Sequence, residues 1–243
     1  MVNIGTSPSG QPIYRHGERQ TPFQLALGNE ETIKAVGEHV EQYIGRIAGV
    51  YHEMISDLVH LDLFLVAPTP ERNFYTLVTC GMSDLPMTVP PGAETYRYAE
   101  LMLALPPTWR FSQEDFKDES CYWPIRLLKT MARLPHEYNT WLHLGHTVPN
   151  GDPAEPYAAG TKLNGVMLTI PASLDNVPGF FKLKLSETKT VHFFGLVPLY
   201  EEEMAFKLKH GADKLFEKLD RAGISELLDP QRKCVLRKRF WFW

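Results

Sequence analysis

The chain has 243 residues and a formal net charge of −4, and its apolar and charged shares, 44% and 22%, are those of an ordinary globular protein. This composition excludes wholesale disorder, and the negative balance provides no global positive field for binding nucleic acid. Three widely spaced cysteines fit neither a disulfide framework nor a paired metal site, and no apolar run is long enough to cross a membrane, so we expect a cytoplasmic protein.

The first 28 residues are rich in Gly, Pro, Ser and Gln and lack sustained periodicity, which predicts an N-terminal extension that lies over the surface. Asn29 is a suitable N-cap because acidic residues follow it directly. Helical spacing of the next apolar residues predicts a helix with one face in the core. These residues are Ile33, Val36, Val40, Tyr43, Ile44 and Ile47.

Three strands are predicted next. Alternation over residues 59–66 and the β-branched and aromatic run 74–80 predict an antiparallel hairpin, because only a short turn separates them. Residues 98–105 form a third apolar run, which the pair Pro106-Pro107 stops. We therefore expect sequence neighbours to be sheet neighbours in this part of the chain.

A central helix follows the three strands. Pro124 is placed to open it, since proline suits the first helical turn, and Pro135 is placed to end or kink it. The apolar positions that predict this helix are Ile125, Leu127, Leu128, Met131, Ala132 and Leu134.

The last third of the chain returns to strands and then to helix. Residues 166–170 and 191–197 are predicted strands, and 180–185 is a further candidate. Residues 201–219 predict one or two helices, with Gly211 as the expected break. Together the predicted elements indicate a single α/β (α+β) domain.

Several short motifs occur in a fixed order along this chain. They are Cys80-Gly81-Met82-Ser83-Asp84-Leu85, Ala99-Glu100-Leu101, Trp123-Pro124, Met131-Ala132-Arg133, Gly145-His146-Thr147-Val148-Pro149-Asn150, and Phe193 to Leu199 followed by Glu201-Glu202-Glu203-Met204. The ordered set, from about Ile33 to Leu228, resembles the suppressor-of-fused domain family in its stand-alone bacterial form.

The resemblance implies a mixed, largely antiparallel sheet with helices packed on it, over residues 29–229. Residues 1–28 would then be an extension and residues 230–243 a basic and aromatic tail. It also implies a protein-binding function without catalysis or cofactor. In the animal members that this resemblance brings in, such a domain is joined to a second lobe and clamps an extended peptide as an added strand. We expect no second lobe here. The bacterial form has been proposed to neutralise a toxin as an immunity protein.

The expected partner-binding residues surround the end of the central helix and the loop after it. They are Tyr138, Trp141, Gly145, His146 and Asn150. Large aromatics with a polar tip are frequent binding anchors, although core packing is an equally common role for them. The animal family has Gly-Asp-His where this chain has Gly145-His146-Thr147, so the acid that helps to hold the animal peptide is absent.

A metal-dependent hydrolase is the alternative function. His136, His143 and His146 are the candidate ligands, and Asp152 could add a carboxylate. The spacing is not specific, and Gly145 indicates a flexible loop rather than ligands held in place. We therefore expect no metal, and we expect surface or hydrogen-bonded histidines.

Two further segments have competing interpretations. Ser83-Asp84 lacks the second glycine of a nucleophile elbow, so we expect Asp84 to cap the backbone after Gly81. The tail from Arg237 to Trp243 combines three cations with four aromatics and could pack on the core, contact a protein, join copies of the chain, anchor at a membrane or stack on a nucleic acid. We favour packing or a protein contact, since free rings at a terminus promote aggregation.

Overall fold

The structure, a computed structural model, describes residues 2–19 and 21–236. Its strands are β1 (Val2–Thr6), β2 (Pro12–Arg15), β3 (Ile47–Tyr51), β4 (Asp62–Val66), β5 (Tyr75–Cys80), β6 (Tyr98–Leu105), β7 (Thr147–Pro149), β8 (Gly165–Thr169), β9 (Lys182–Lys184) and β10 (Thr190–Leu199). Its helices are α1 (Glu30–Tyr43), α2 (Glu119–Tyr138), α3 (Val177–Phe180), α4 (Glu201–His210) and α5 (Ala212–Arg221). Among these described residues, no helix is long and apolar enough to span a membrane.

The main sheet has its strands in the order β3-β4-β5-β6-β10-β8-β7, and β9 pairs with the first residues of β10. Neighbouring strands run antiparallel except for β6 and β10, which are parallel. The predicted mixed, largely antiparallel sheet is therefore confirmed. β1 and β2 form a separate two-stranded ribbon.

The predicted hairpin is also confirmed. β4 pairs antiparallel with β5, with Phe64 opposite Val78, and β5 pairs with β6, with Leu77 opposite Leu103. β10 is buried along nearly its whole length because helices or loops cover both of its faces. A strand buried on both faces reads as a continuous apolar run, which is the pattern that predicted it.

Two helices cover the opposite faces of the sheet. Leu63 packs in the cluster that contains Trp123 and Leu128 of α2, whereas its neighbour Phe64 packs in the cluster that contains Val36 of α1. Adjacent strand residues point to opposite faces, so β4 contributes to both cores. Burying each such side chain contributes about 1.5–3 kcal/mol. A third cluster joins the sheet to α4 and α5.

The prediction that Ile47 continues the first helix is wrong. α1 ends at Tyr43, and Gly45, at φ 138°, donates its N–H to the Val40 carbonyl. A glycine at positive φ is a common helix terminator. Ile47 instead begins β3, an edge strand that the sequence reasoning missed, and it lies opposite Val66.

The predicted bounds of the central helix are also wrong. α2 begins at Glu119, because the side chain of Asp118 accepts a hydrogen bond from the Ser120 N–H at 2.9 Å, and Pro124 lies inside the helix. Pro135 does not end it either, and its carbonyl accepts the N–H groups of Asn139 and Thr140.

Three other expectations have mixed outcomes. The N-terminal extension lies at the surface but contains the β1–β2 ribbon, which was not predicted. The candidate strand 180–185 divides into the end of α3 and the short strand β9. Gly211, at φ 92°, breaks the last helical segment into α4 and α5 as predicted.

The loop after β5 is held by Glu100 and not by Asp84. The fully buried Glu100 carboxylate accepts hydrogen bonds from the N–H groups of Gly81 and Ser83, at 3.0 Å each, and from the hydroxyl groups of Ser83 and Thr79. Asp84 accepts a hydrogen bond from the Asn29 N–H at 3.1 Å, at the start of α1. The prediction that Asp84 caps this loop is therefore wrong, because Glu100 of the neighbouring strand β6 accepts these N–H groups.

The chain's three cysteines are free and buried. The segment after Leu228 packs back on the domain. Arg232 pairs with the fully buried Glu203 of α4, and Thr161 donates to the Pro230 carbonyl at 2.7 Å. The predicted aromatic tail from Arg237 to Trp243 lies outside the described residues.

Candidate protein-binding surface

The end of α2 sets the position of the predicted binding residues. Asn139, the C-cap, adopts the left-handed conformation at φ 49° and donates its N–H to the Pro135 carbonyl, so the helix ends at Tyr138. The chain then turns, and the Thr140 carbonyl accepts the Thr88 N–H at 3.0 Å. Tyr138 therefore lies on the last turn of a rigid helix, half-buried.

Gly145 brings the following loop against α5. Its φ is 79°, its N–H donates to the Leu168 carbonyl at 2.9 Å, and a Cβ at this position would lie 3.0 Å from the Cβ of Ala212. Both the positive φ and the close approach favour glycine. Gly145 is buried, so it positions the loop and does not itself offer a contact surface.

A groove of about 200 Å³ lies between α2 and β7. It contains two of the predicted binding residues, Tyr138 and Asn150, with Val148 of β7 beside them. α2 contributes most of the apolar lining through Leu127, Met131 and Leu134. An apolar groove with a few polar groups at its rim suits an extended peptide or a side chain of a partner.

Asn150 shapes the rim of this groove. Its side-chain amide donates to the Glu155 carbonyl at 2.7 Å, and its backbone N–H donates to the Asn164 carbonyl at 2.8 Å. The ribbon reaches the same rim, where Arg15 forms an exposed ion pair with Asp152 at 2.7 Å. The main role of Asn150 is therefore to hold the structure of the rim.

Trp141, His143 and His146 form an aromatic cluster in the loop between α2 and β7, and none of the three lines the groove. The Trp141 ring centroid lies 5.2 Å from that of His143 and 4.9 Å from that of His146. Burial lowers the pKa of His146 to about 4 and also lowers the pKa of His143. These rings are neutral near pH 7, so the cluster is an aromatic surface and not a cationic one.

The structure does not assemble the predicted hydrolase ligands. His136 donates its Nε2–H to the Met82 carbonyl at 3.0 Å, and burial lowers its pKa to about 4. Asp152 is paired with Arg15. Over residues 2–19 and 21–236, the one set of three His, Cys, Asp or Glu residues with ligand atoms within 4.8 Å of one another is His52, His60 and Asp62.

That histidine set was missed because it depends on β3. His52 follows β3 directly, and Asp62 begins β4, so the pairing of these two strands brings the residues together. The usable signal was the spacing of His60 and Asp62, which places both side chains on one face of an extended chain. Without β3, nothing placed His52 beside them.

β7 forms one edge of the main sheet. It pairs with β8, with Val148 opposite Val166, and no other strand of the described chain lies on its outer side. An edge strand presents unpaired N–H and C=O groups, which can pair with an extended peptide. The groove and this edge are adjacent, because Val148 and Pro149 belong to both.

Comparisons with known proteins agree on one family. The family model described as Suppressor of fused protein matches residues 57–233. A homologue from Neisseria gonorrhoeae has a similar structure, with a TM-score of 0.62 and 19% identity over 86% of this chain and 100% of that chain. A chain of the Sufu–Fu complex matches with a TM-score of 0.59 and 15% identity, over 84% of this chain and 92% of that one. Drosophila Suppressor of Fused matches with a TM-score of 0.54 and 14% identity, over 84% of this chain and half of that chain. No curated protein matches the sequence.

Proposed function

The chain belongs to the suppressor of fused protein family, and from this premise we propose that it is a non-catalytic protein-binding module. The observation that carries the proposal is the groove between α2 and β7, which lies beside an edge of the sheet. A partner segment in extended conformation adds to β7 as a further strand. Its main chain provides affinity, and its alternate side chains enter the groove and provide specificity.

Each predicted residue has a distinct part in this proposal. Tyr138 is the anchor, because its ring is rigid and its hydroxyl group can bond to a partner. Trp141 and His146 add an aromatic surface in the loop that joins α2 to β7. Gly145 and Asn150 act indirectly, since they fix the loops that carry β7.

One similar structure is a complex of Sufu with Fu, and a protein partner for this chain is consistent with it. We propose that this partner is a toxin and that the chain neutralises it in the cytoplasm as an immunity protein. The similarity in fold to the Neisseria gonorrhoeae homologue, over 100% of that chain, is consistent with a bacterial role of this kind. Three buried free thiols suit a reducing compartment.

A capture experiment from the native host tests the binding surface. Tagged wild-type chain is compared with Tyr138→Ala and with Val148→Asp, which places a charge on the groove side of the β7 edge. Val50→Asp is the matched control, because Val50 is a half-buried valine on β3, at the opposite edge of the sheet. Circular dichroism confirms that each variant is folded.

We expect the wild type and the Val50→Asp variant to retain the same stoichiometric partner, and both groove variants to lose it. A partner that all four proteins retain equally would show that the groove is not the binding surface. The proposed role of the partner is tested by expressing it in a host cell with and without this chain. A partner that is harmless when expressed alone would exclude toxin neutralisation.

A further inference from the structure

His52, His60 and Asp62 meet at one end of the β3–β4 hairpin. The Asp62 Oδ1 atom lies 3.0 Å from His52 Nδ1 and 3.3 Å from His60 Nε2. The three atoms all lie within 4.8 Å of one another. This cluster is separate from the groove between α2 and β7.

The hydrogen bonds around His60 determine which of its nitrogens faces Asp62 without a proton. The Ser56 hydroxyl group donates to Glu53 at 3.1 Å, so its oxygen can only accept from His60 Nδ1, which is 3.0 Å away. In the neutral ring the proton is therefore on Nδ1, and Nε2 directs a lone pair at the Asp62 carboxylate. His60 Nε2 and Asp62 Oδ1 both carry lone pairs and are 3.3 Å apart, so they repel each other. This contact therefore needs a positive charge, either a proton on the ring or a cation between the two atoms.

Two ion pairs hold the Glu53 side chain in place, which stabilises the arrangement in which Ser56 donates to Glu53 and His60 carries its proton on Nδ1. Lys129 of α2 pairs with Glu53 at 3.2 Å, and Arg133 pairs with its other oxygen. The chain of contacts from α2 through Glu53 and Ser56 orients the His60 ring. A histidine that binds a metal commonly donates its second N–H to such a partner.

The Asp62 carboxylate is buried, with only 4% of its side chain exposed. Its ion-pair partners in the described part of the chain are the two histidines, and no lysine or arginine of that part pairs with it. A buried carboxylate requires a cation, either a protonated side chain or a metal ion. Two imidazoles and one carboxylate are suitable ligands for a divalent transition metal.

We propose that His52, His60 and Asp62 bind a zinc-like divalent cation through His52 Nδ1, His60 Nε2 and Asp62 Oδ1. Bonds of about 2.0–2.1 Å at tetrahedral angles place neighbouring ligand atoms about 3.3 Å apart, and the two distances to Asp62 are 3.0 and 3.3 Å. His52 is 67% exposed, which leaves the fourth position to water or to a group from a partner.

Metal binding at this site would close the loop of residues 53–59. This loop carries Met54, which is fully exposed, and Ile55, which is 74% exposed. A cation that ties His52 to His60 holds both ends of the loop. Metal binding would therefore restrain the backbone that carries these two exposed apolar side chains.

Calorimetric titration of the chelator-treated full chain with ZnCl2 tests the proposal. We expect one zinc per chain, a loss of affinity of about 100-fold or more in His52→Ala, and about tenfold in Ser56→Ala. His52 is exposed, so its removal leaves the fold intact, which circular dichroism checks. His210→Ala is the control, because His210 is an exposed histidine on α4.

Cobalt substitution reports the coordination number and whether a thiolate is among the ligands. We expect the visible absorption of four-coordinate cobalt without a thiolate charge-transfer band, since the site has nitrogen and oxygen ligands only. The absence of stoichiometric zinc binding, equal affinity in His52→Ala and wild type, or a thiolate band would each overturn the proposal.

Discussion

The carboxylate of Glu100 accepts a hydrogen bond from the Ser83 hydroxyl group at 2.7 Å, and both residues are fully buried. Ser83→Ala leaves the carboxylate with fewer donors in a fully buried site. We expect the free energy of unfolding to fall by about 1–3 kcal/mol, measured by urea titration. Ser186→Ala removes an exposed hydroxyl group that accepts the N–H groups of Thr188 and Lys189, and is expected to cost less, about 0.5–1 kcal/mol.

Glu100 also predicts a pH dependence. Burial raises its pKa from 4.5 to about 7, so the folded state keeps a proton that the unfolded state has lost between these values. Its contribution to stability is complete below pH 4.5 and is lost as the pH rises to about 7, by about 3 kcal/mol. Glu100→Gln is expected to remove this slope, because its side chain does not titrate. A slope that is unchanged in the variant would contradict the assignment.

Three buried histidines make the stability depend on pH in the opposite direction. Burial lowers the pKa values of His136, His146 and His192 from 6.5 to about 4. The unfolded state therefore binds their protons first, and stability falls as the pH falls from about 6.5 to about 4. His192 is surrounded by the rings of Tyr96 and Phe181, so His192→Phe should reduce this acid slope while remaining folded. Thermal melts at a series of pH values measure both slopes.

The ion pair of Arg232 and Glu203 predicts a large effect of one truncation. Glu203 is fully buried, and Arg232 also donates to the Pro198 carbonyl at 2.8 Å. Arg232→Ala leaves a buried carboxylate without its cation, and we expect a loss of about 3–5 kcal/mol. Arg221→Ala removes an exposed pair with Glu217 and is expected to cost about 0–1 kcal/mol. Equal effects of the two variants in chemical denaturation would contradict the prediction.

Gly145→Ala separates two causes of strain. Gly145 has a φ of 79° and a close neighbour in Ala212, whereas Gly10 has a φ of 86° and open space around its missing Cβ. We expect Gly10→Ala to show the conformational cost alone, about 1 kcal/mol, and Gly145→Ala to cost about 2–3 kcal/mol. Denaturant titration of the two variants gives the difference, and a larger cost at Gly10 would contradict it.

The sequence predicts most of the sheet because periodicity is a local property. Alternation and apolar runs located β4, β5, β6, β8 and β10, since each strand is buried on at least one face. β3 was missed because it is an edge strand whose residues are mostly half-buried, and Ile47 fits the preceding helical spacing as well. The order β6-β10 depends on contacts between distant residues, which no local pattern contains.

The binding surface could be predicted only in part, for the same reason. Tyr138 and Asn150 line the same groove, which could be expected because the two residues are close in sequence. The sequence predicts a partner contact for Gly145, whereas its close approach to Ala212 involves α5, more than 60 residues later in the chain. Asp84 was assigned a local cap, and the strand that carries Glu100 supplies it instead.

The parallel pairing of β6 with β10 has a consequence for biosynthesis. Residues 98–102 lie beside residues 191–195, so the middle of the sheet is joined only by the last quarter of the chain. A ribosome adds about 5–20 residues per second, so β10 is synthesised several seconds after β6. During that time the nascent chain exposes a long apolar strand, and we expect a chaperone to improve the yield of folded protein more than it would for a sheet of hairpins.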